Sequence, residues 1–399
     1  MVDYEVAVVG AGPVGLAFAG WLAQQESIKP EQIAVFDSKP LAVAQNDPRV
    51  LAISESTRQS LLPLGFPAHA QAITQIHVSE KGRLGQVRMS SQELGLEALG
   101  WTLRYGDLMT CLAHSVQSLG VQIFRPKVVL PPQSQPLRAY EQLQLEDGST
   151  LKAYLRVDAE GGVYGQQEQR DVVVDYSQYA LVSEVKLRFD GLSQGFMSGG
   201  LAFERFCPSG PLALLPLMET HSNCASTASY SLVWCASHEI IQRLLQVSED
   251  EFFAELEALF SRRFRVIQMK SRQTFRLGLN YRQNLIKGRC VYIGNAAQIL
   301  HPVAGQGLNL GLRDAYVLAS LLSNTSNSLV NLQDTLAQFN LTRKFDRQAV
   351  ARASDLLVRL FSNENKFLGC GRQAALCVME SLPWLRRQFA QAMLFGFKT

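Results

Sequence analysis

Two glycine-rich turns hold the residues whose types and spacing could do chemistry. The first is Gly10-Ala11-Gly12-Pro13-Val14-Gly15, placed after the apolar run Tyr4–Val9 and before a helix expected over 15–25. A second apolar run, Ile33–Phe36, ends at Asp37, 22 residues beyond the last glycine. That is the G-x-G-x-x-G fingerprint in its βαβ setting. Gly10 permits the tight turn, Gly12 lets the backbone approach a pyrophosphate at the positive helix end that Pro13 and Val14 open, and Gly15 lets helix and strand pack closely. Asp37 is placed to accept hydrogen bonds from an adenosine ribose, and its charge disfavours a 2′-phosphate. By itself the motif does not separate FAD from NAD.

The second turn is Gly294-Asn295-Ala296-Ala297, then His301-Pro302-Val303-Ala304-Gly305-Gln306-Gly307-Leu308-Asn309-Leu310-Gly311, then Asp314. Gly305 and Gly307 open a helix, so its unpaired N–H groups point at whatever lies before it. A reduced flavin carries negative charge near N1 and C2=O, which such a helix end stabilises. Taken alone, the arrangement reads equally well as a helix entry with a tight glycine turn. Spacing assigns no side-chain base, and His301 reads equally well as a satisfied loop residue. With one G-x-G-x-x-G in the chain, a second nucleotide has no Rossmann unit of its own.

The elements that must position these turns are legible in outline. Length 399, with 47% hydrophobic and 18% charged residues, is globular composition and excludes disordered, collagen-like and coiled-coil chains. A net charge of +3 gives no case for nucleic acid. Seven cysteines without a C-x-x-C pair fit neither a disulfide scaffold nor a metal site, so thiols in a cytoplasmic protein are expected. No signal peptide is read at the N-terminus, and no window of 18 apolar residues is present. Alternation predicts a helix over 107–119, a loop over 131–136, a hairpin around Asp147-Gly148, strands over 172–235, and helices over 334–399 broken at residues 369–371 and at Pro383. Residues 262–289 hold nine Lys+Arg and no Asp or Glu, read first as a solvated basic face. Residues 389–397 (FAQAMLFGF) are apolar and read first as packing on the chain's own helices.

With both turns in view, the chain resembles the single-component FAD-dependent aromatic hydroxylases, and among them those of ubiquinone biosynthesis. Further residues carry the likeness: Asp47-Pro48-Arg49-Val50-Leu51-Ala52-Ile53-Ser54, Tyr176-Ser177-Gln178-Tyr179-Ala180, Phe203-Glu204-Arg205-Phe206 and Gly210-Pro211-Leu212-Ala213-Leu214-Leu215-Pro216-Leu217. The resemblance runs from about residue 4 to about residue 360. Two positions depart from it. Asn295 stands where the family has Asp, and Ala159-Glu160-Gly161-Gly162 stands for Ala-Asp-Gly. The first loses a charge beside an anionic pyrophosphate; the second bears on flavin and NAD(P)H contacts.

The resemblance implies a para-hydroxybenzoate-hydroxylase-like α/β fold with a Rossmann-like FAD-binding domain over 1–75, 98–165 and 285–345. It further implies an inserted β-sheet substrate domain over 76–97 and 166–284, and C-terminal helices over 346–399. It implies FAD, NAD(P)H and O2 as reactants, Pro302, Gly305, Gln306 and Gly307 as the flavin environment, Gly294, Asn295, Gly307, Leu308 and Asn309 as residues that hold the cofactor, Arg49 beside the flavin, and C1 of a 2-polyprenyl-6-methoxyphenol as the hydroxylated position. Phe203, Phe206, Leu214, Leu215 and Pro216 are expected to line the ring and prenyl site. A quinone-synthesis complex and peripheral contact with the inner face of a membrane are expected partners. Two other readings stay open: the same chemistry at another ring position or on another aromatic, and a flavoprotein scaffold.

Overall fold

The computed structural model describes residues 2–25, 27–83, 85–131, 139–162, 170–189, 200–218, 226–323, 331–361 and 366–396. Beyond Pro131, the expected 131–136 loop lies outside the described residues.

In strand Tyr4–Val9 the apolar run Val6–Val9 is fully buried, as a strand is inside a parallel sheet covered on both faces. It pairs in parallel with Ile33–Phe36 on one side and Thr150–Asp158 on the other. Gln122–Phe124 and Cys290–Tyr292 extend the sheet in parallel at either side. The expected hairpin is present: Glu141–Gln144 runs antiparallel to Thr150–Asp158, with Gly148 at φ +83° in the turn. Helix Pro13–Ala23 is buried along its whole length, between this sheet and helix Gln306–Ser323. Each of its large apolar residues, such as Leu16 and Phe18, contributes about 1.5–3 kcal/mol by leaving water.

A second, nine-stranded sheet is mostly antiparallel. Its spine is Val172–Arg188, flanked by Thr227–Ser237 and Gln273–Tyr281. Gly210–Leu217 and Leu201–Cys207 continue it, and Gln75–Glu80 joins in parallel from far upstream. Helices His238–Gln246 and Glu249–Leu259 cover one face. A third sheet of three short strands, Val50–Ser54, Gly100–Arg104 and Gln71–Ile73, lies against Gly210–Leu217 and roofs part of the other face.

The C-terminal part is helical, as Leu332–Phe361, Lys366–Ser381 and Pro383–Phe395. The break expected at 369–371 is absent: helix Lys366–Ser381 runs through both glycines, each a cost of about 1 kcal/mol that packing overrides. The break at Pro383 occurs where a proline opens the next helix. Ala390 and Leu394 of that last helix are buried, and Ser56 Oγ donates to the Leu394 carbonyl, so the apolar terminus packs on the chain's own helix Glu55–Leu61. Trp384 and Phe389 stay exposed. Among the described residues no helix is long and apolar enough to cross a membrane. Cys111, Cys207, Cys235, Cys290 and Cys377 are free thiols.

Candidate functional site

At the first turn, backbone geometry explains the glycines. Gly10 sits at φ +105°, and a Cβ there would lie 2.5 Å from the Glu160 nitrogen. A Cβ on Gly15 would lie 2.0 Å from the Gly10 carbonyl oxygen. Gly12 is different: its added Cβ meets only the Tyr105 hydroxyl at 3.9 Å, so this side of the turn faces open space at a helix N-terminus. Asp37 receives the Ala11 N–H at 2.8 Å and the Lys39 N–H at 2.8 Å, which holds its carboxylate at the strand end. Arg125 Nη2 lies 3.5 Å from Asp37 Oδ2, and a carboxylate with about four lone-pair sites still has capacity for a ribose hydroxyl.

Arg49 does not reach this space unaided. Asp47 grips it in a bidentate pair, Arg49 Nε to Asp47 Oδ1 at 2.9 Å and Nη2 to Oδ2 at 2.7 Å, and its guanidinium lies 4.6 Å from the Tyr105 ring centroid. Asp47 and Tyr105 are therefore positioning residues for Arg49 beside the open side of Gly12. Asp47, two residues upstream in the same run, is the signal that was available in the sequence.

The second turn is held from several directions. Asn309 spends its side chain on protein: Oδ1 accepts the Ser54 N–H at 2.9 Å, and Nδ2 donates to the carbonyls of Ala52 at 3.1 Å and Gly305 at 2.8 Å. It pins the turn to strand Val50–Ser54. Asp314, wholly buried, receives Gln298 Nε2 at 2.7 Å and Arg343 Nε at 2.6 Å, tying the helix to Leu332–Phe361. Gly305 has φ +61°, and a Cβ on Gly307 would meet nothing within 4 Å. Pro302 is exposed, Gln306 is buried and Leu308 packs partly into the core.

His301 is a loop clamp. Its Nδ1 accepts the Val303 N–H at 3.2 Å, so Nε2 carries the proton and donates to Gln178 Oε1 at 3.2 Å. Burial lowers its pKa to about 4, which keeps the imidazole neutral at pH 7. Asn295 and Glu160, the two departures, are neighbours in space: Asn295 Nδ2 donates to the Gly162 carbonyl at 3.4 Å, and Gly161 is packed so closely that its Cβ would fall 2.0 Å from Asn295 Cβ.

Both turns fit a flavin nucleotide on two observations. Gly12 and Gly307 each present open space at the N-terminus of a long helix, and an acidic side chain closes the strand end at the ribose position.

The contact between His301 and Gln178 also sets the second turn against one face of the nine-stranded sheet. In Val172–Arg188 the residues Gln178, Ala180, Val182 and Glu184 share that face, because side chains alternate. The pairing register carries the face across the sheet: Val182 opposes Val233, Val233 opposes Ala213, and Ala213 opposes Glu204. All four of these residues are partly exposed, whereas the opposite face is sealed by Leu181, Trp234, Leu212, Leu214 and Phe203 under the covering helices. The open face is bounded by the His301 loop at one end and by Arg104 at the other, where Arg104 and Lys270 both pair with Glu184.

This alternation divides the five expected substrate-lining residues. Phe203 and Leu214 lie in the sealed layer, Phe203 with its ring 5.7 Å from that of Phe260. Pro216 opposes Tyr230 on the same sealed side. Only Phe206 and Leu215 share the parity of Glu204 and Ala213. The correction has a simple cause: a consecutive run in a strand cannot line one wall. Glu204, Val233 and Gln178 share the open face with Phe206 and Leu215.

Residues 193–334 match a family described as an FAD binding domain. The ubiquinone hydroxylase UbiL of Rhodospirillum rubrum is 32% identical over 251 residues, 61% of this chain and 55% of that protein, so the match spans little more than half of that relative. The 3-demethoxyubiquinol 3-hydroxylase of Escherichia coli is 27% identical over 406 residues, 96% of each chain. In fold, the p-nitrophenol 4-monooxygenase PnpA of Pseudomonas putida matches with a TM-score of 0.73 at 17% identity, covering 99% of each chain.

Proposed function

We propose that this chain, which belongs to the FAD-dependent aromatic hydroxylases together with relatives that act in ubiquinone biosynthesis, hydroxylates a polyprenyl phenol ring with NAD(P)H and O2. C1 of a 2-polyprenyl-6-methoxyphenol is the position proposed. The observation that carries the reading is the helix N-terminus at Gly305–Gly307 clamped by His301 and Asn309 against the partly open, largely apolar face of a nine-stranded sheet. A flavin at the helix end would face an aromatic ring lying on that sheet.

Bound FAD supplies hydride acceptance from NAD(P)H and activation of O2. The chain does the rest. Gly12, Val14 and Gly15 offer N–H groups to the pyrophosphate, Gly10 and Pro13 shape the turn that presents them, Arg49 adds positive charge, and Asp37 accepts from the ribose. Gly294 and Asn295 flank the ribityl region, and the N–H groups near Gly305, Gln306 and Gly307 stabilise negative charge on the reduced ring, with Leu308 and Asn309 shaping the turn behind them and Pro302 beside it. Phe206, Leu215, Ala213 and Val233 exclude water from the ring and prenyl chain. The three-part division at residues 75, 98, 165, 285 and 345 belongs to the same proposal, as does transient docking of NAD(P)H without a Rossmann unit of its own. So does contact of exposed Trp384 and Phe389 with the membrane that holds such a substrate.

The test is quinone extraction from a host lacking its own C1 hydroxylase, with and without this chain, followed by mass spectrometry and fractionation. Restored ubiquinone with loss of the methoxyphenol intermediate, and chain in the membrane fraction, is expected. Unchanged intermediate beside FAD-loaded protein overturns the assigned ring position.

A further inference from the structure

Glu204 is the one carboxyl in the transverse row Val182, Val233, Ala213, Glu204 on the open sheet face. It has no hydrogen-bonding or ion-pair partner among the described residues. Protein surrounds its carboxyl, yet the residue keeps part of its surface accessible from the open face of the sheet. Leaving an acid unpaired in such surroundings is costly, and a structure that keeps one there has a use for it. The other charged groups on this face are engaged or distant in type: Glu184 is held by Arg104 and Lys270, Glu80 by Arg83, and the Cys235 thiol is pushed up by burial and by Glu204 itself.

We propose that the Glu204 carboxylate accepts the phenolic O–H of the substrate and takes its proton during ring hydroxylation. The assignment rests on the functional reading above and adds to it the residue that orients the ring. The balance is as follows. The ring carbon forms a bond to an electrophilic OH derived from O2 at the reduced cofactor, the O–O bond breaks, and the second oxygen leaves as water. The O–H electron pair of the phenol becomes part of a ring C=O, and its proton passes to Glu204. Loss of the ring-carbon hydrogen to solvent, with return of the Glu204 proton to the carbonyl oxygen, restores the aromatic ring. Burial raises the carboxyl to about 7, close to where a general base works best at neutral pH.

Binding provides the first readout, by titrating the flavin absorbance of FAD-loaded protein with 2-prenyl-6-methoxyphenol and with its methyl ether, which lacks the O–H. Wild-type protein at pH 8 should prefer the phenol by roughly 10–100-fold, the worth of a hydrogen bond to a charged acceptor, and Glu204→Leu should bind both alike. Glu204→Gln, nearly the same shape, guards against loss of the fold and is checked by FAD content. It should lower product formed by roughly 10²–10⁴-fold, divert O2 to hydrogen peroxide, and abolish the rise in hydroxylation rate toward pH 7, while Glu204→Asp recovers part of the rate and the rise. A wild-type protein that hydroxylates the phenol while Glu204→Leu keeps the preference, or Glu204→Gln keeps the pH profile, overturns the Glu204 assignment alone. A wild-type protein that binds neither compound overturns the functional reading and this one with it.

Discussion

The two faces of the nine-stranded sheet are made by the same strands and differ by one residue of register. On one, Phe203, Leu212, Leu214 and Trp234 interlock with two helices and are excluded from solvent. On the other, Glu204, Ala213 and Val233 are smaller or polar and stay partly exposed beneath the Gly305–Gly307 turn and the small sheet. Stability is concentrated on the first face and room for a ligand on the second. A neighbouring pair in one strand can therefore have opposite roles, which gives the sharpest way to break the comparison.

Leu214 and Leu215 are that pair. Leu214→Ala removes a fully buried side chain from the sealed layer and should cost about 2–5 kcal/mol in a denaturant melt. Leu215→Ala trims the open face, and less than about 1.5 kcal/mol is expected, with the loss appearing as a higher KM for the prenylphenol. Equal stability losses, or a KM change confined to Leu214→Ala, would show that the faces have been assigned the wrong way round.

How the second turn is held against the open face can be tested through pH. His301 is neutral in the fold, with its pKa lowered by burial from 6.5 to about 4. Between those values the unfolded chain binds a proton that the folded chain refuses, so stability rises with pH across the window and is lost as pH falls through it. Over the full shift the loss is about 3 kcal/mol. Urea midpoints taken from pH 7 to pH 4 should show that slope, and His301→Gln should flatten it. An unchanged slope would mean that other groups carry the acid sensitivity.

The first turn, its helix and Asp37 were legible because the demand is local: a backbone at φ +105° with Glu160 nitrogen within 2.5 Å of any Cβ leaves glycine as the residue that fits. Strand runs in the second sheet were legible by alternation, but the sequence does not say which parity lies on the open face, and the expected Phe203, Leu214 and Pro216 fall in the sealed layer for that reason. The parallel pairing of Gln75–Glu80 with Leu201–Cys207 was hidden, since a contact across more than a hundred residues leaves no local trace. Asn309 illustrates a third case. Its presence in the turn was visible, but two of its three hydrogen bonds to protein depend on where Ala52 and Ser54 arrive.

The smallest expected effect separates what a glycine does for folding from what it does for a ligand. Gly307 lies near the start of helix Gln306–Ser323, where a Cβ would touch nothing within 4 Å. Alanine is the better helix former by about 0.5–1 kcal/mol, so Gly307→Ala should leave the flavin-free protein as stable or slightly more stable. If the open space is where the flavin ring lies, the same methyl crowds it, and FAD should bind roughly 10-fold more weakly by fluorescence titration, about 1.4 kcal/mol. The two changes have opposite signs and come from one atom. A variant more stable both with and without FAD would place the flavin elsewhere, because a glycine kept against helix propensity must be serving something outside the helix.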